Sequence, residues 1–210
     1  KKDKIIYVYN SLKIHPEIKK NKNKKNLIWT GSIGPGHSLL TIIKSYAYLN
    51  AKIKLKIFGK IENYSYIKQM DKLIDKLNLK KRITIHKFVP EYKIKKELKE
   101  SYAAIALYEP IITSHKYMAG ASAKINNYLA YSLPIIVSDN NDFSNFSKKF
   151  KASISVNIRN PKSISKTINK IVTDKKIYNQ LRYNSYKAHI NEFNFEKQFK
   201  KINDRLNILK

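Results

Sequence analysis

Residues 27–38 read LIWTGSIGPGHS and lead from an apolar, strand-like run into a glycine-rich turn. Three of the five glycines in the chain, Gly31, Gly34 and Gly36, fall in this turn. A strand, a turn and a helix start bring unpaired backbone N–H groups and the positive end of a helix dipole to one point, where phosphate binds. Glycine permits positive φ and close approach of the backbone to an anion. We expect Gly31, Ser32, Gly34 and Gly36 to bind phosphate, although a tight strand-to-helix loop would show the same pattern.

Two polar residues stand at the mouth of this turn. Ser38 is expected to cap the helix that follows, and His37 to donate a hydrogen bond to a phosphate or a sugar hydroxyl. The glycine spacing is not G-x-G-x-x-G, and His37 follows Gly36 where a P-loop has Lys-Ser/Thr. The motif alone therefore indicates an anion site without naming the ligand.

Short β-rich runs alternate with segments of helical period on both sides of the turn. Such alternation predicts an α/β fold, a Rossmann-like parallel sheet with helices on both faces. Beyond Pro161 the pattern predicts three consecutive C-terminal helices, the last over residues 193–209. The predicted strands are residues 5–9, 27–30, 54–58, 83–88, 103–108, 134–138 and 153–157, with an exposed polar loop at 19–25.

The charge is extreme, because 43 Lys and Arg face only 15 Asp and Glu, a net charge of +28. Such an excess favours polyanions, anionic lipid headgroups or phosphorylated substrates. Nearly all of it is Lys spread among Ile and Asn, so we interpret it first as a solvated surface and second as peripheral attraction to an anionic membrane. We expect no specific nucleic-acid binding. The chain has no Cys, which excludes disulfides and is compatible with a cytoplasmic protein, either free or at the inner face of the membrane.

A second turn of small residues, 118–124 (MAGASAK), leads from the run 103–108 into another predicted helix. Ligands of open α/β sheets collect at the carboxyl ends of the strands, so both turns are expected to face one anion. Lys124 in the first turn of a helix opposes the helix dipole. A bound diphosphate would explain this mismatch, and an ordinary surface lysine would fit as well. The candidate site therefore also includes Gly120, Ala121, Ser122, Ala123 and Lys124.

The block that begins at Lys124, residues 124–139 (KINNYLAYSLPIIVSD), resembles the K-x-x-E-Y-x-A-x-G-x-P-V-I-x-x-D block of the GT-B glycosyltransferases of family 4, the group 1 type. The chain is similar to their C-terminal, donor-binding half over essentially its whole length. Shorter similarities occur in order at residues 5–10 (IIYVYN), 30–32 (TGS), 57–59 (IFG), 88–90 (FVP) and 193–199 (FNFEKQF).

This resemblance implies a site for a nucleotide-diphosphate sugar, with no other cofactor and no metal. The phosphates are expected at residues 31–37 and 119–124, where Lys124 and His37 act as catalytic groups that stabilise the leaving diphosphate. The run 139–142 (DNND) is interpreted as a turn rather than a metal motif. The remaining expected site residues are Asn127 with its neighbour Ile125 at the ribose, Phe88, Val89 and Pro90 at the base, and Glu109, either as a nearby carboxylate or as a solvent-facing strand end.

The resemblance also implies retaining transfer to a glycan or lipid-linked acceptor, with an N-terminal acceptor domain upstream of Lys1. Residues 1–210 then form one nucleotide-sugar-binding domain, in which 1–26 are an interdomain segment with the first strand and loop, 27–160 the α/β core and 161–210 a helical extension. Alone, the chain is expected to bind nucleotide and to transfer little sugar. The family's glutamates fall at Asn127 and near Ala119, so a non-catalytic binding module of the same fold is the alternative.

Overall fold

The computed structural model of the protein describes residues 5–16, 26–87, 89–111 and 113–208. Its centre is a six-stranded, all-parallel sheet in the order β3-β2-β1-β4-β5-β6. Two inner strands, β4 and β5, are fully buried and are apolar except for Ser138, as is typical of parallel strands covered on both faces. The strands are β1 (Asn26–Ile33), β2 (Lys54–Ile61), β3 (Ile83–Lys87), β4 (Ala103–Ala106), β5 (Ile135–Ser138) and β6 (Ser153–Val156).

Helices cover both faces of the sheet, and alternate strand residues point into two separate apolar clusters. Trp29 joins the cluster beneath α1, α2 and α6, whereas Ile28 joins the one beneath α4 and α5. The helices are α1 (Leu39–Ser45), α2 (Tyr64–Lys76), α3 (Glu91–Glu100), α4 (Ala123–Ala130), α5 (Asn141–Phe150), α6 (Pro161–Thr173), α7 (Lys175–Asn191) and α8 (Phe195–Ile208), with short 3-10 helices at Tyr46–Tyr48 and Thr113–Tyr117.

The strand order reverses between β1 and β4, and the region beyond their last paired residues is called the crevice below. β1 pairs with β2 as far as Ile33, but its pairing with β4 ends at Ile28. Thr30 on the unpaired edge instead donates its N–H to the Tyr128 hydroxyl of α4 at 2.8 Å. In open α/β sheets this switch point is where ligands bind.

The fold confirms the predicted α/β class, the six strands from residue 27 onward and the three C-terminal helices. The predicted strand at residues 5–9 is wrong, because residues 5–16 contain no strand. Their backbone is held by side chains and α8 instead: Tyr9 N–H donates to Gln198 at 3.0 Å, and the Leu12 carbonyl accepts from Phe195 N–H at 2.9 Å. The predicted loop at 19–25 lies outside the described residues.

Candidate functional site

The two small-residue turns meet where the side chain of Lys124 crosses Gly31. Lys124 is the second residue of α4, and a Cβ placed on Gly31 would lie 3.1 Å from its Cε and 3.2 Å from its Nζ. Gly31 also has φ +145°, a conformation that L side chains avoid. Glycine is therefore required at this position both for the backbone and for the lysine stem, and the predicted convergence of the turns at the switch point is present.

The ammonium group of Lys124 is buried and has no anionic partner in the part of the chain that the structure describes. The residue is 9% exposed, and Nζ has no hydrogen-bond partner among the described residues. It lies 4.2 Å from the ring centroid of Trp29 and 4.9 Å from that of Tyr108. Burial lowers the pKa of Lys124 to about 7. Aromatic faces offset only part of the cost of burying a charge, so this position favours an anionic ligand.

A pair of histidines adjoins Lys124 in the crevice. The His37 ring lies 5.3 Å from the centroids of both Tyr108 and His115 and 5.7 Å from Trp29. Burial, together with the charges of Lys124 and His115, lowers the pKa of His37 to about 3. Its Nδ1 is buried and has no partner among the described residues. The imidazole of His37 is therefore neutral near pH 7.

Glu109, directly after β4, holds the glycine turn in place. Its N–H donates to the Gly36 carbonyl at 2.8 Å, and its Oε1 accepts from both N–H and hydroxyl of Ser38 at 3.0 Å. Its carbonyl oxygen lies 3.0 Å from His115 Nδ1. The Glu109 carboxylate thus faces the turn, and a direct contact between this carboxylate and a ligand stays a prediction.

Ser38 precedes α1 as expected, but the prediction that its side chain caps the helix is wrong. Ser38 has a left-handed backbone, with φ 50°, and its hydroxyl donates to Glu109 instead of accepting from an α1 amide. The Leu40 N–H donates to the Tyr66 hydroxyl at 3.4 Å. Protein groups therefore already occupy two of the amides at the start of this short helix.

The start of α4 is built differently, with Ser122 as its cap. The Ser122 hydroxyl accepts from Ile125 N–H at 3.3 Å and lies 2.6 Å from the Tyr108 hydroxyl. Because Ile125 is fully buried and its amide is used by the cap, the expectation that Ile125 binds the donor is not supported by its position. Ala121 and Ala123 are exposed beside it. Gly120 lies under the Tyr9 ring, where a Cβ would be 2.7 Å from the ring edge.

The remaining predicted residues lie around this centre. Asn127 is half-buried on α4. Val89 packs against the apolar cluster beneath α4, Pro90 precedes α3, and Phe88 lies outside the described residues. Ser32 and Gly34 follow Gly31 along the end of β1 and the turn. Within the described ranges no three His, Asp or Glu side chains form a metal-binding group.

The acidic run at 139–142 has structural partners. Asn140 caps α5 by accepting from Phe143 N–H at 3.1 Å, and the Asp142 carboxylate accepts from Ala119 N–H at 2.8 Å. Sequence reasoning missed Trp29, Tyr108 and His115, which form the walls around Lys124. Only the adjacency of Trp29, the single Trp of the chain, to the glycine turn could have suggested one of them.

The fold and the crevice define a Rossmann-like α/β protein with a buried, cationic side chain, Lys124, at its switch point. A comparison with protein-family models matches residues 10–188 to glycosyl transferases group 1. The chain belongs to this family. A comparison with curated proteins finds no significant match.

Solved structures share the fold at low sequence identity. A TarM mutant from S. aureus, in complex with fondaparinux, alpha-GlcNAc-glycerol and UDP, is 15% identical over 96% of this chain and 39% of its own, with a TM-score of 0.76. HepE from Anabaena, in complex with UDP and glucose, is 13% identical over 95% of this chain and 56% of its own, with a TM-score of 0.74. Sucrose-phosphate synthase from Thermosynechococcus elongatus is 14% identical over 90% and 46%, with a TM-score of 0.71. The chain therefore spans between 39% and 56% of the length of these proteins. Among the described residues, no helix is long and apolar enough to cross a membrane.

Proposed function

We propose that this chain binds the diphosphate of a nucleotide sugar in the crevice between β1 and β4 and serves as the donor-binding half of a glycosyltransferase. The observation that carries the proposal is the buried, unpartnered ammonium of Lys124 against Gly31. Family membership and the UDP complexes of TarM and HepE support a nucleotide-sugar ligand.

In this proposal the leaving diphosphate is stabilised by the charge of protonated Lys124 and by backbone dipoles. Lys124 supplies the charge, and the exposed start of α4 supplies amide groups. His37 contributes a neutral imidazole. Asn127 binds a ribose hydroxyl, and the base lies against Val89 and Pro90. We propose that transfer proceeds with retention, as the resemblance to family 4 implies. We also propose that no metal ion is needed, because a lysine and a helix start can stabilise the charge of the departing diphosphate.

The acceptor is proposed to be a glycan or a lipid-linked sugar, bound by a further domain of the same enzyme. This is supported by the length of TarM and HepE, which exceeds that of this chain. With half of the cleft supplied by another domain, residues 1–210 alone should bind nucleotide and transfer little or no sugar.

A second candidate is a non-catalytic binding module. It is favoured by the neutral Asn127 and the buried Ala119, which stand where the family pattern has glutamates. A neutral amide binds a hydroxyl more weakly than a carboxylate does.

Calorimetric titration of the 210-residue chain with UDP, GDP, ADP and dTDP, up to about 1 mM, tests the proposal. We expect saturable binding of at least one nucleotide and a ten- to hundredfold loss in Lys124→Met, roughly the value of a hydrogen bond to a charged group. Lys76→Met, an exposed lysine at the end of α2, is the matched control and should bind as the wild type does. Absence of binding by every nucleotide would contradict the donor-site proposal and favour the module.

A further inference from the structure

A second imidazole stands beside His37 in the crevice. His115 lies in the 3-10 helix Thr113–Tyr117 between β4 and α4, and it is 9% exposed. Its ring centroid lies 5.3 Å from that of His37 and 5.1 Å from that of Tyr108. The same helix leads into the small-residue turn before Lys124. A nearly buried basic side chain is thus directed to the place where the two turns meet.

The ring of His115 takes the space that a side chain at position 36 would need. A Cβ on Gly36 would lie 3.0 Å from His115 Cε1 and 3.5 Å from Nδ1. Gly36 also has φ +97°, which disfavours any L side chain. The last glycine of the turn therefore admits the imidazole, and the His115 ring forms part of the wall of the predicted phosphate site.

The structure also fixes the tautomer of His115. Its Nδ1 lies 3.0 Å from the carbonyl oxygen of Glu109. A carbonyl can only accept a hydrogen bond, so Nδ1 must carry the hydrogen, and in the neutral ring Nε2 holds the free lone pair. No hydrogen bond joins Nε2 to another described residue. This nitrogen is therefore free to accept a proton and then to donate to an anion.

The charges around His115 favour an anion. His37 Nδ1 and Lys124 Nζ have no partners among the described residues, whereas the Glu109 carboxylate is bound by Ser38 and the Asp142 carboxylate by the Ala119 amide. The basic groups next to His115 are therefore unpaired among the described residues, whereas the carboxylates of Glu109 and Asp142 are already bound. The elements packed around His115 carry the titratable groups His37, Tyr108, Glu109, Lys124, Tyr128, Asp139, Asp142, Lys148 and Lys149, with Lys116 and Tyr117 on its own helix.

We propose that His115 is a donor-binding residue that becomes an imidazolium when the diphosphate of a nucleotide sugar enters the crevice. Nδ1–H stays on the Glu109 carbonyl, Nε2 takes one proton from solvent, and the new N–H donates to a phosphate oxygen. No covalent bond of the ligand changes. The inference rests on the proposed function, and it adds that donor binding is coupled to proton uptake at a named atom.

The test uses UDP-glucose, or the corresponding sugar of whichever nucleotide binds in the titration above. Its diphosphate is a diester and does not itself titrate near neutral pH. Calorimetry at about pH 7.5, in buffers of different ionisation enthalpy, gives the number of protons taken up on binding. His115→Asn keeps a donor for the Glu109 carbonyl and removes Nε2, whereas His115→Gln keeps a neutral donor near the Nε2 position.

We expect the wild type to take up a measurable fraction of a proton more than His115→Asn, up to about one. The affinity of His115→Asn should fall about tenfold, and that of His115→Gln less, with its proton uptake equally reduced. Because Lys124 also titrates near pH 7, the imidazole NMR measurement described below is needed to assign the difference to His115. Equal affinity and equal uptake in wild type and His115→Asn would overturn the inference while leaving the donor site intact. If the wild type binds no nucleotide, the proposed donor site and the inference about His115 are both refuted.

Imidazole nitrogen NMR of the wild type tests whether His115 becomes protonated on ligand binding, even if a variant does not fold. The His115 signals, assigned through the backbone, should show the Nδ1–H tautomer in the free protein and a doubly protonated ring with UDP-glucose bound. An Nε2–H tautomer in the free protein, or an unchanged neutral ring in the complex, would refute the proposal.

Discussion

At the residue scale, the cost of keeping Lys124 buried should be visible in the stability of the ligand-free protein. Its pKa falls from the ordinary lysine value to about 7 in the folded chain because of burial. Below pH 7 the amine is protonated in both states, and the folded protein carries the full cost of an unpaired buried charge. Between pH 7 and about 10 the unfolded chain holds the proton that the folded chain has lost, so rising pH stabilises the fold.

We therefore predict that Lys124→Met is more stable than the wild type near pH 6 and that the difference shrinks as pH rises above 7. The slope should be near zero at pH 6 and approach about 1.4 kcal/mol per pH unit above pH 8. Urea unfolding of both proteins between about pH 6 and 9 measures this slope. The other titrating groups contribute equally to both proteins and cancel in the difference between their free energies of unfolding. Lys76→Met should track the wild type at every pH. A pH-independent difference for Lys124→Met would mean that the ammonium has a partner or water in solution.

At the element scale, the cap of α4 links the stability of one helix to the shape of the site. The Ser122 hydroxyl satisfies the Ile125 amide and contacts the Tyr108 hydroxyl. Asp174 caps α7 in the same way, by accepting from Ile177 N–H at 2.9 Å. Asp174 lies where α6 ends. Because α6 runs back from the carboxyl end of β6, Asp174 is near the amino ends of the strands, whereas the two turns are at their carboxyl ends.

Ser122→Ala and Asp174→Ala are predicted to destabilise the protein by similar amounts, about 1 kcal/mol each, as losses of helix caps do. Only Ser122→Ala should also weaken nucleotide binding, because the start of α4 and Lys124 lose their fixed position. Urea unfolding and calorimetry on the same samples separate the two effects. A loss of nucleotide affinity that is as large in Asp174→Ala would show that affinity follows overall stability and not the local cap.

The elements also show what periodicity alone can predict. Within the buried runs 103–108 and 134–138, residues 103–106 and 135–138 form strands because they lie inside the sheet, where apolar composition and strand pairing agree. Residues 5–9 have the same β-rich composition but no strand neighbour. Their neighbours are Phe193, whose ring stacks on Tyr9 at 5.0 Å, and the side chain of Gln198, which accepts a hydrogen bond from Tyr9 N–H. A β-rich composition indicates that a segment prefers an extended backbone. Whether the segment becomes a strand depends on whether tertiary contacts place it next to another strand.

At the scale of the whole molecule, the site depends on contacts that no local pattern records. The glycine cluster and the block from Lys124 onward predicted two turns and their common edge. Trp29 and Tyr108 enclose the ammonium group of Lys124, and their positions depend on where the pairing between β1 and β4 ends. His115 is separated from His37 by 78 positions along the chain and meets it only through the strand order. Single residues of this kind become visible when the topology is known.

The net charge of +28 gives the molecule a long-range field that is separate from its site. Exposed lysines attract anionic lipid with about 1 kcal/mol each, and salt screens this attraction within about 10 Å at 0.1 M. Lys124 is buried, so salt should screen its interaction with a diphosphate much less. The two kinds of binding should therefore respond differently to ionic strength.

We predict that the chain sediments with vesicles rich in phosphatidylglycerol at about 0.05 M salt and is released from them at about 0.5 M salt. It should not bind vesicles of pure phosphatidylcholine. Over the same range nucleotide affinity should fall only a few-fold, as calorimetry can measure. Release by salt would identify the association as electrostatic. Binding that survives high salt would instead point to insertion of the exposed Ile5, Ile6, Tyr7 and Val8. Absence of binding at low salt would mean that the lysines form an ordinary solvated surface, because a field of this size then attracts no lipid even when it is least screened.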